Sequence, residues 1–512
     1  MSFNIEKAPS IRRETTVDRE KGQLIVDRHA DLGLQHLAKH GRVEYTAEEE
    51  NAVRWRIDLC LMPILAITFG LQYLDKVTIS YAAVYGMRTD LHLVGTQYSW
   101  TNSIFYFGYM VGEIPSNYLM QKLPIGKFAS VNLLIWGVLV MLCAVCKNFA
   151  SLATVRFLMG IFESCIGPCW VTITAMFYKG QEQGTRCTAW YSMVGVAAIV
   201  GGLLSYGIGH VKSVSVQQWQ LVFLICGGFT VAWSMVVFLF LPDSPLNAKF
   251  LNERQRSVAI ERLRVNRTGI KSSQFKWHQV REALRDPQVW MITLWAGISN
   301  LLNIGGSFLP LIIEEMGFSG LTTTLLTLPV GGTECVAMFV AGGLSWYFTN
   351  GRTIIMFFVS LPTLVGTILL EVLPQSATWG RCVGVWFLLC VPASYAILLS
   401  LISSNIAGFS KKITTTFLVF VSFCVGNIVS PQLFITSEAP HYGTGCRAML
   451  VAIALVQALS MGLGSYYWFE NKRRDRILAA APSEVVDAAL TENEEFLDKT
   501  DMEDSLKFRY RW

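Results

Sequence analysis

Charged residues are scarce in this chain. Aspartate, glutamate, lysine and arginine make up 15% of its 512 residues, whereas 52% are hydrophobic, and the mean hydropathy is +0.41. A soluble protein of this length needs more charge to cover its surface, so the composition excludes the soluble globular class. Residues 1–54 are polar and of mixed charge, and they lack the apolar core of a cleavable signal peptide. We therefore expect the first apolar helix to act as the insertion signal.

The chain also lacks the residue clusters of metal and catalytic centres. Most of its twelve cysteines lie inside apolar runs, which is not the pattern of a disulfide framework. Cys143 and Cys146 form a CxxC without a second pair, so we interpret them as packing residues. The histidines lie mostly at helix ends or in loops, and no nucleophile stands beside a base in an apolar run. We expect no cofactor, no metal site and no enzymatic activity.

Long apolar segments are abundant instead. A bilayer core of roughly 30 Å needs about 20 apolar residues per helix, and segments of that length recur from Ile57 to Phe469. We therefore predict an all-α membrane protein with twelve transmembrane helices. The predicted spans are 57–84, 97–120, 126–146, 151–178, 187–209, 219–241, 289–313, 321–347, 353–373, 381–403, 413–436 and 446–469.

A polar stretch divides these spans into two sets of six. Residues 242–288 are rich in arginine and lysine, and their periodicity predicts an amphipathic helix around 252–264 near a membrane surface. This layout resembles the major facilitator fold, whose two halves rock around a site near the bilayer midplane. We expect both tails to be largely disordered. The predicted organisation is a tail 1–54, a six-helix bundle 55–241, a linker 242–288, a second six-helix bundle 289–470 and a tail 471–512.

Basic residues are distributed unevenly between the connections on the two membrane sides. The outer connections hold little more than Arg88, Lys147, Lys212 and Arg381. The linker is inner and basic, and the positive-inside rule therefore places both termini in the cytoplasm. The sequon Asn266–Thr268 then stays in the cytosol. The other inner connections and the C-terminal exit hold Lys122, Lys127, Lys179, Arg186, Arg352, Lys411, Lys412, Lys472, Arg473, Arg474 and Arg476.

Charged residues inside the predicted spans are concentrated in the first bundle. A charge at a helix centre costs about 2.5 to 3.5 kcal/mol, so it needs a partner or a water-filled cavity. Arg156 and Glu163 are seven residues apart, which places them on one helix face. A guanidinium makes two parallel hydrogen bonds to a carboxylate, and a buried carboxyl group can carry a proton at physiological pH. The intramembrane charges are Asp75, Lys76, Glu113, Arg156, Glu163 and Glu334.

Two interpretations of these charges stay open. Arg156 with Glu163, and Asp75 with Lys76, form either an anion site with a proton switch or structural ion pairs. Glu113 lies nearer the cytoplasmic end, where a gate or helix contact is an alternative to proton coupling, and Glu334 favours neither interpretation. The second bundle offers polar residues that either complete a pocket or bridge helices. These are Asn300, Asn303, Tyr395 and Asn427.

Small residues in the spans predict close helix crossings, and Pro168 predicts a kink beside a cavity. They support a mobile bundle without identifying what it carries. The glycines concerned are Gly160, Gly167, Gly201, Gly202, Gly331 and Gly332.

Several motifs resemble a known family. Arg156–Glu163, followed by Gly167-Pro168, resembles the fourth-helix signature of the anion:cation symporters of the major facilitator superfamily. Leu74-Asp75-Lys76 resembles the first-helix pattern of that group. Glu113–Asn117 and Gly426–Phe434 resemble its fungal branch, typified by allantoate permease. The resemblance covers roughly residues 55 to 470. As a departure, Asn117 and Gly126-Lys127 occupy a region where the general facilitator motif has an aspartate and a Gly-Arg pair.

This resemblance implies proton-driven uptake of a small organic anion. By position it assigns anion binding to Arg156 and Lys76, and we expect Glu163, or else Asp75, to take up the proton. The predicted function is symport of a small carboxylate with protons across a fungal plasma membrane. We expect the protein to be a monomer embedded in the lipid bilayer and to bind no nucleic acid. An exporter of a secondary metabolite and a non-transporting nutrient sensor are the alternatives.

Overall fold

The protein folds into two six-helix halves that together cross the membrane twelve times. The structure, a computed structural model, describes residues 44–211, 215–263, 276–303, 308–348, 350–439, 442–480, 500–503 and 508–512. The spanning helices are α1 Ala47–Val84, α2 Gln97–Lys122, α3 Ile125–Cys143, α4 Phe149–Phe177, α5 Glu182–Gly209, α6 Gln218–Phe240, α7 Pro287–Leu301 continued by Leu309–Glu315, α8 Gly320–Tyr347, α9 Arg352–Val372, α10 Thr378–Asn405, α11 Phe409–Leu433 and α12 Gly443–Ala480.

Ten of these helices are long and apolar enough to cross a membrane by length and composition alone. The other two are α2 and α7. Helix α2 is long but carries many polar residues, and the described parts of α7, Pro287–Leu301 and Leu309–Glu315, are each too short for this criterion. Both helices line the central cavity described below, where polar side chains are tolerated because they do not face lipid.

Helix α4 is broken next to Glu163, as Pro168 predicts. Its first part, Phe149–Glu163, and its second part, Ile166–Phe177, meet at a turn. A proline has no N–H to donate and its ring clashes with the carbonyl group four residues earlier, here that of Ser164. The break therefore lies directly after the buried carboxylate that the sequence singles out.

The helices pack pairwise within each half and mainly at two places between the halves. In the first half α2 packs along α4 and α3 along α6, and in the second α7 packs along α11 and α9 along α12. The halves meet where α5 packs along α8 and α2 along α11. We call the face where α1 begins and α12 ends the terminal face, and the other one the opposite face.

Glycine permits the closest of these crossings. At the α2–α4 crossing, a Cβ on Gly160 would strike the carbonyl oxygen of Phe105 and lie 2.7 Å from the backbone nitrogen of Tyr109. At the α5–α8 crossing, a Cβ on Gly195 would lie 2.9 Å from the carbonyl oxygen of Gly331. The predicted crossings are confirmed at Gly160, Gly201, Gly202 and Gly331. They are wrong at Gly167, where an added Cβ would meet only the hydroxyl of Tyr109 at 3.9 Å, and at Gly332, where it would meet no atom of another helix within 4 Å.

The linker contains two short helices, each fastened to one half. The predicted amphipathic helix is present as Glu253–Leu263, and its Arg262 is fully buried in ion pairs with Glu182 and Glu50. A second helix, Trp277–Arg285, was not expected from the sequence. Its Glu282 accepts a hydrogen bond of 2.9 Å from Lys411 at the start of α11. The basic residues Arg264, Arg267 and Lys271 and the sequon at 266–268 lie outside the described residues.

Helices α1 and α12 extend beyond the apolar segments into the predicted tails. Helix α1 begins at Ala47 because Thr46 and Glu49 form a capping box, eight residues before the predicted boundary at 55. Helix α12 continues past 470 to Ala480. Its Arg474 is buried and donates to the backbone oxygen of Asp501 at 2.9 Å and to the hydroxyl of Tyr510 at 2.8 Å. The described residues of the C-terminal tail thus pack on the terminal face, which differs from the expected disorder.

The cysteines are packing residues, as predicted. All twelve are free thiols, nine of them buried and the other three partly buried. The Sγ of Cys143 lies 3.7 Å from the sulfur of Met159.

The close α2–α4 crossing predicts that Gly160→Ala destabilises the protein by about 1–3 kcal/mol, because the added methyl group overlaps backbone atoms that cannot yield without moving a helix. The matched control is Gly332→Ala, where no atom lies within 4 Å of the added carbon. Thermal unfolding of the detergent-purified protein measures both. An unchanged melting temperature for Gly160→Ala would show that α2 and α4 are not this close.

Candidate functional site

A cavity of about 550 Å³ lies between the two halves. Its volume is within the range of sites that bind small molecules, roughly 300–1,000 Å³. Helices α1, α2, α4 and α5 line it from the first half, and α7, α8, α10 and α11 line it from the second. A molecule bound here contacts both halves at once, so its binding can affect how they move against each other.

Aromatic side chains and direct contacts between the halves close the bundle on the opposite face. The ring centroids of Tyr98 and Phe308 are 5.2 Å apart, those of Phe308 and Phe434 are 5.3 Å apart, and Tyr442 continues the cluster. Below this cluster, Ser103 of α2 donates a hydrogen bond of 2.7 Å to the carbonyl oxygen of Ile428 in α11.

The cavity extends toward the terminal face. Its wall includes Asn117 and Met120 in the last two turns of α2, and Thr416 two turns after the start of α11. Leu399 contributes from the terminal part of α10. Together with the closed opposite face, this lining describes a conformation whose route to solvent leads to the terminal face.

An ion pair between α1 and α4 lies in the cavity wall. The Nζ of Lys76 is 3.1 Å from a carboxylate oxygen of Glu163. The Glu163 side chain is 1% exposed, whereas that of Lys76 is 24% exposed and reaches the cavity. Glu163 lies fourteen residues after the start of α4 at Phe149, or about 21 Å along the helix, and is therefore near the middle of the membrane.

Arg156 shares this part of the cavity without a carboxylate partner. Its side chain is buried at 3% exposure, and its Nε has no hydrogen-bond acceptor. Among the described residues, no carboxylate lies within ion-pairing distance of its guanidinium. The Arg156 guanidinium is 5.9 Å and the Lys76 Nζ is 6.0 Å from the ring centroid of Phe105, and all three residues line the cavity. Both cations therefore face the same space.

The other three carboxylates of the cavity differ in whether they have a hydrogen-bond partner. Glu113 accepts a hydrogen bond of 3.0 Å from the amide of Asn117, one turn further along α2. Both carboxylate oxygens of Asp75 are buried without a hydrogen-bond partner, and so are both oxygens of Glu334 on α8. Asp75 lies in the electrostatic field of Glu163 and Arg156. All three carboxylates line the cavity.

Three asparagines form a hydrogen-bonded chain on the other side. Asn427 of α11 donates to the side-chain oxygen of Asn300 at 2.9 Å, and Asn303 donates to that of Asn427 at 2.8 Å. The chain joins the end of the first part of α7 to α11. Tyr395 of α10 packs near Phe423, with ring centroids 6.1 Å apart. These residues supply polar groups from the second half to the same cavity.

Comparison with known proteins identifies the family. The family model described as Major Facilitator Superfamily matches residues 65–473, which include all twelve spans in whole or in part. This chain belongs to the Major Facilitator Superfamily. Its members are transporters, not enzymes, so this facilitator moves a solute across a membrane.

Fungal relatives resemble this facilitator along nearly its whole length. An uncharacterized transporter of Schizosaccharomyces pombe is 46% identical over 94% of this chain and 91% of its own length. The allantoate permease of Saccharomyces cerevisiae is 34% identical over 99% of this chain and 97% of its own length. The thiamine pathway transporter THI73 of the same yeast is 31% identical over 94% of each chain. The predicted placement in the fungal allantoate permease-like branch is therefore confirmed.

Solved structures show the same fold at low sequence identity. A bacterial homologue of the human lysosomal transporter Spinster superposes with a TM-score of 0.60 at 14% identity, over 82% of this chain and 98% of its own. A D-xylose–proton symporter superposes with a TM-score of 0.60 at 11% identity, over 79% of this chain and 97% of its own. The predicted twelve-helix facilitator fold is confirmed.

The cavity of this facilitator brings together the nine residues that the sequence predicts for the site, but not in every expected relation. Lys76 is paired with Glu163 instead of standing beside Arg156 as a second free cation. The residues expected at the site, all in the cavity wall, are Asp75, Lys76, Glu113, Arg156, Glu163, Asn300, Asn303, Tyr395 and Asn427.

Sequence reasoning gave no role to two further residues in the cavity wall. Glu334 was visible as an intramembrane charge, but nothing around it in the sequence indicates which way it faces. Trp190 of α5 has a buried indole N–H without an acceptor and packs edge-on against Phe69, with ring centroids 4.8 Å apart. From the sequence, Trp190 could either contribute to a pocket or pack between helices, and nothing in the sequence decides between the two.

Because Lys76 and Glu163 form an ion pair, we expect the effects of their substitutions on the free energy of unfolding to be strongly non-additive. Lys76→Met leaves the buried Glu163 carboxylate without its cation and should lower stability by up to about 3 kcal/mol. The double variant Lys76→Met with Glu163→Gln should recover more than half of this loss, because no unpaired charge remains.

Thermal unfolding of the single and double variants forms a double-mutant cycle. Lys122→Met, which removes an exposed lysine at the end of α2, is the control for loss of a lysine as such. Strictly additive effects of the two substitutions would contradict the ion pair.

Proposed function

We propose that this facilitator is a proton-coupled symporter that imports a small organic anion, in the form of a carboxylate, across the plasma membrane. The observation that carries the proposal is the buried Arg156 guanidinium, which faces a central cavity without a carboxylate partner. Relatives that include an allantoate permease support uptake as the direction. The substrate itself is not identified by them.

A buried and unpaired guanidinium favours binding of an anion. An isolated charge in apolar surroundings is costly, and a ligand that pairs with it recovers much of that cost. The planar fork of arginine matches a carboxylate and makes two parallel hydrogen bonds to it. The apolar and aromatic wall around Arg156, including Phe105, strengthens this attraction because it excludes water.

The Lys76–Glu163 pair links anion binding to protonation. When Glu163 is ionised, its carboxylate forms an ion pair of 3.1 Å with the Lys76 ammonium group. Lys76 is then not available to a substrate carboxylate. When Glu163 takes up a proton, the pair loses most of its attraction and Lys76 is released to a substrate carboxylate held by Arg156. The anion therefore binds best to the protonated carrier, which is the thermodynamic condition for symport. Asp75, buried beside these groups, is the alternative proton acceptor.

The second half closes the site around the substrate. Asn300, Asn303 and Tyr395 present polar groups across the cavity from the charges of the first half. In this fold the halves rock around a site near the bilayer midplane. We place both termini in the cytoplasm by the positive-inside rule, so the terminal face is cytoplasmic and the cavity opens inward. Since every described contact needed for the site lies within one chain, a monomer suffices.

We expect Arg156→Gln to abolish carboxylate uptake. Removal of a charge-assisted bidentate contact costs about 2–4 kcal/mol of binding, or a 30- to 1,000-fold loss in affinity. The measurement is accumulation of a panel of radiolabelled carboxylates at external pH 5, with the corresponding amides as neutral controls. Cells expressing wild type, Arg156→Gln and the exposed-site control Arg447→Gln are compared at equal surface expression.

Acid-stimulated accumulation of one carboxylate but not of its amide, lost in Arg156→Gln alone, supports the proposal. Export is tested by loading the same cells and following efflux of the same acids. If wild-type cells accumulate and release no acid, anion transport is refuted and Arg156 serves the structure of α4 instead. Chemically unchanged substrate inside the cells distinguishes transport from sensing.

We expect Glu163→Gln to remove the pH dependence of uptake. Wild-type uptake at saturating substrate should fall as external pH rises, because fewer carriers hold the proton that frees Lys76. Glutamine resembles the protonated side chain at every pH, so the variant should bind anion without a pH preference and should lose accumulation against a gradient.

The measurement is the initial uptake rate between pH 4.5 and 7.5, together with exchange of internal for external substrate, which needs no net proton movement. Glu163→Gln should retain exchange. A wild-type pH profile in this variant would exclude Glu163 as the coupling residue, and the same assay on Asp75→Asn would then test the alternative acceptor.

A further inference from the structure

Glu334 on α8 is a buried carboxylate that the proposed anion site does not use. The side chain is 1% exposed, it lines the central cavity, and neither carboxylate oxygen has a hydrogen-bond partner. Among the described residues, no lysine or arginine lies within ion-pairing distance of it. A polar group that is buried without a hydrogen-bond partner is costly, so a ligand that supplies a donor recovers part of that cost.

Its position places Glu334 across the cavity from the cationic site. Glu334 lies fourteen residues after the start of α8 at Gly320, which corresponds to about 21 Å along the helix from the opposite face. Glu163 lies at the same depth in α4. Because α8 belongs to the second half and α4 to the first, a substrate that touches both positions spans the interface along which the halves rock.

Hydrogen-bonding groups surround Glu334, and among the described residues no other charged side chain forms an ion pair with it. Tyr73 of α1 and Tyr191 of α5 lie within its electrostatic field, and Trp190, whose buried indole N–H has no acceptor, lines the same cavity. The neighbouring Thr333 is already used, because it donates to the carbonyl oxygen of Trp386. The wall thus presents one unsatisfied acceptor group among aromatic rings.

We propose that Glu334 binds an N–H donor group at the far end of the substrate. The transported carboxylates are then bifunctional, with the carboxylate on Arg156 and an amine or carboxamide on Glu334. This inference rests on the proposed anion transport and narrows its substrate class. It also gives the second half a direct contact with the substrate, so that only a molecule satisfying both ends joins the two halves.

The test uses pairs of carboxylates that differ only at the far end. Suitable probes are straight-chain acids of three to six carbons that end in an amine, in a carboxamide or in a methyl group. The measurement is the concentration of each acid that half-maximally raises the melting temperature of the purified full-length protein in detergent. In the wild type, at least one donor-ended acid should act at about tenfold lower concentration than the methyl-ended acid of equal length.

Three variants separate the contributions. Glu334→Leu should abolish the preference for the donor-ended acid while the methyl-ended acid still stabilises the protein. Glu334→Asp keeps the carboxylate and should retain part of the preference. This variant separates the loss of the carboxylate from misfolding caused by a substitution at this position. The matched control Glu371→Gln removes a carboxylate of α9 that lies outside the cavity and should leave the preference unchanged.

The outcomes distinguish this inference from the function on which it rests. Equal half-maximal concentrations for donor-ended and methyl-ended acids in the wild type, or an unchanged preference in Glu334→Leu, would overturn the role of Glu334 and leave the anion site intact. Stabilisation by none of the acids, with no effect of Arg156→Gln, would overturn both. Loss of stabilisation by every acid in Glu334→Leu, despite a wild-type melting temperature, would show that Glu334 supports the whole site instead of one end.

Discussion

The cost of placing a charged side chain among apolar helices governs this structure. The six charged residues predicted inside the spans all line one cavity, where Lys76 and Glu163 neutralise each other and Arg156 is left without a carboxylate partner among the described residues. An unpaired charge in such surroundings is stable only if water or a ligand reaches it. The same requirement that restricts the sequence to few charges therefore makes each remaining one a candidate for function.

Buried charges at the terminal face hold the linker helices against the two halves. Arg262 of the first linker helix is paired with Glu182 of the first half, and Glu282 of the second linker helix is paired with Lys411 of the second half at 2.9 Å. Each linker helix is thus fixed to its own half. By contrast, the halves meet through glycine crossings and the cavity, where few polar bonds would have to break when they move. This division suits two rigid bodies that rock around a central site.

The sequence predicted much of the site because spacing on a helix is local geometry. Seven residues between Arg156 and Glu163 give two turns, and both side chains line one cavity. What spacing does not give is the partner across a helix interface. Lys76 follows Asp75 in the chain, yet it pairs with Glu163 on another helix, while Asp75 has no hydrogen bond. Gly332 likewise follows Gly331, but only Gly331 meets a neighbouring helix.

The sequence by itself determined the number of spans, the division into two sets of six, the family branch and the residues that are costly in a membrane, because apolarity, helix period and charge are properties of short segments. The tertiary structure alone decided which charges pair, which carboxylates stay unpartnered, that Glu334 faces the same cavity as Arg156, and that both linker helices are fixed by buried ion pairs. Those relations depend on how helices far apart in the chain rotate and pack against one another, and no local pattern encodes that rotation.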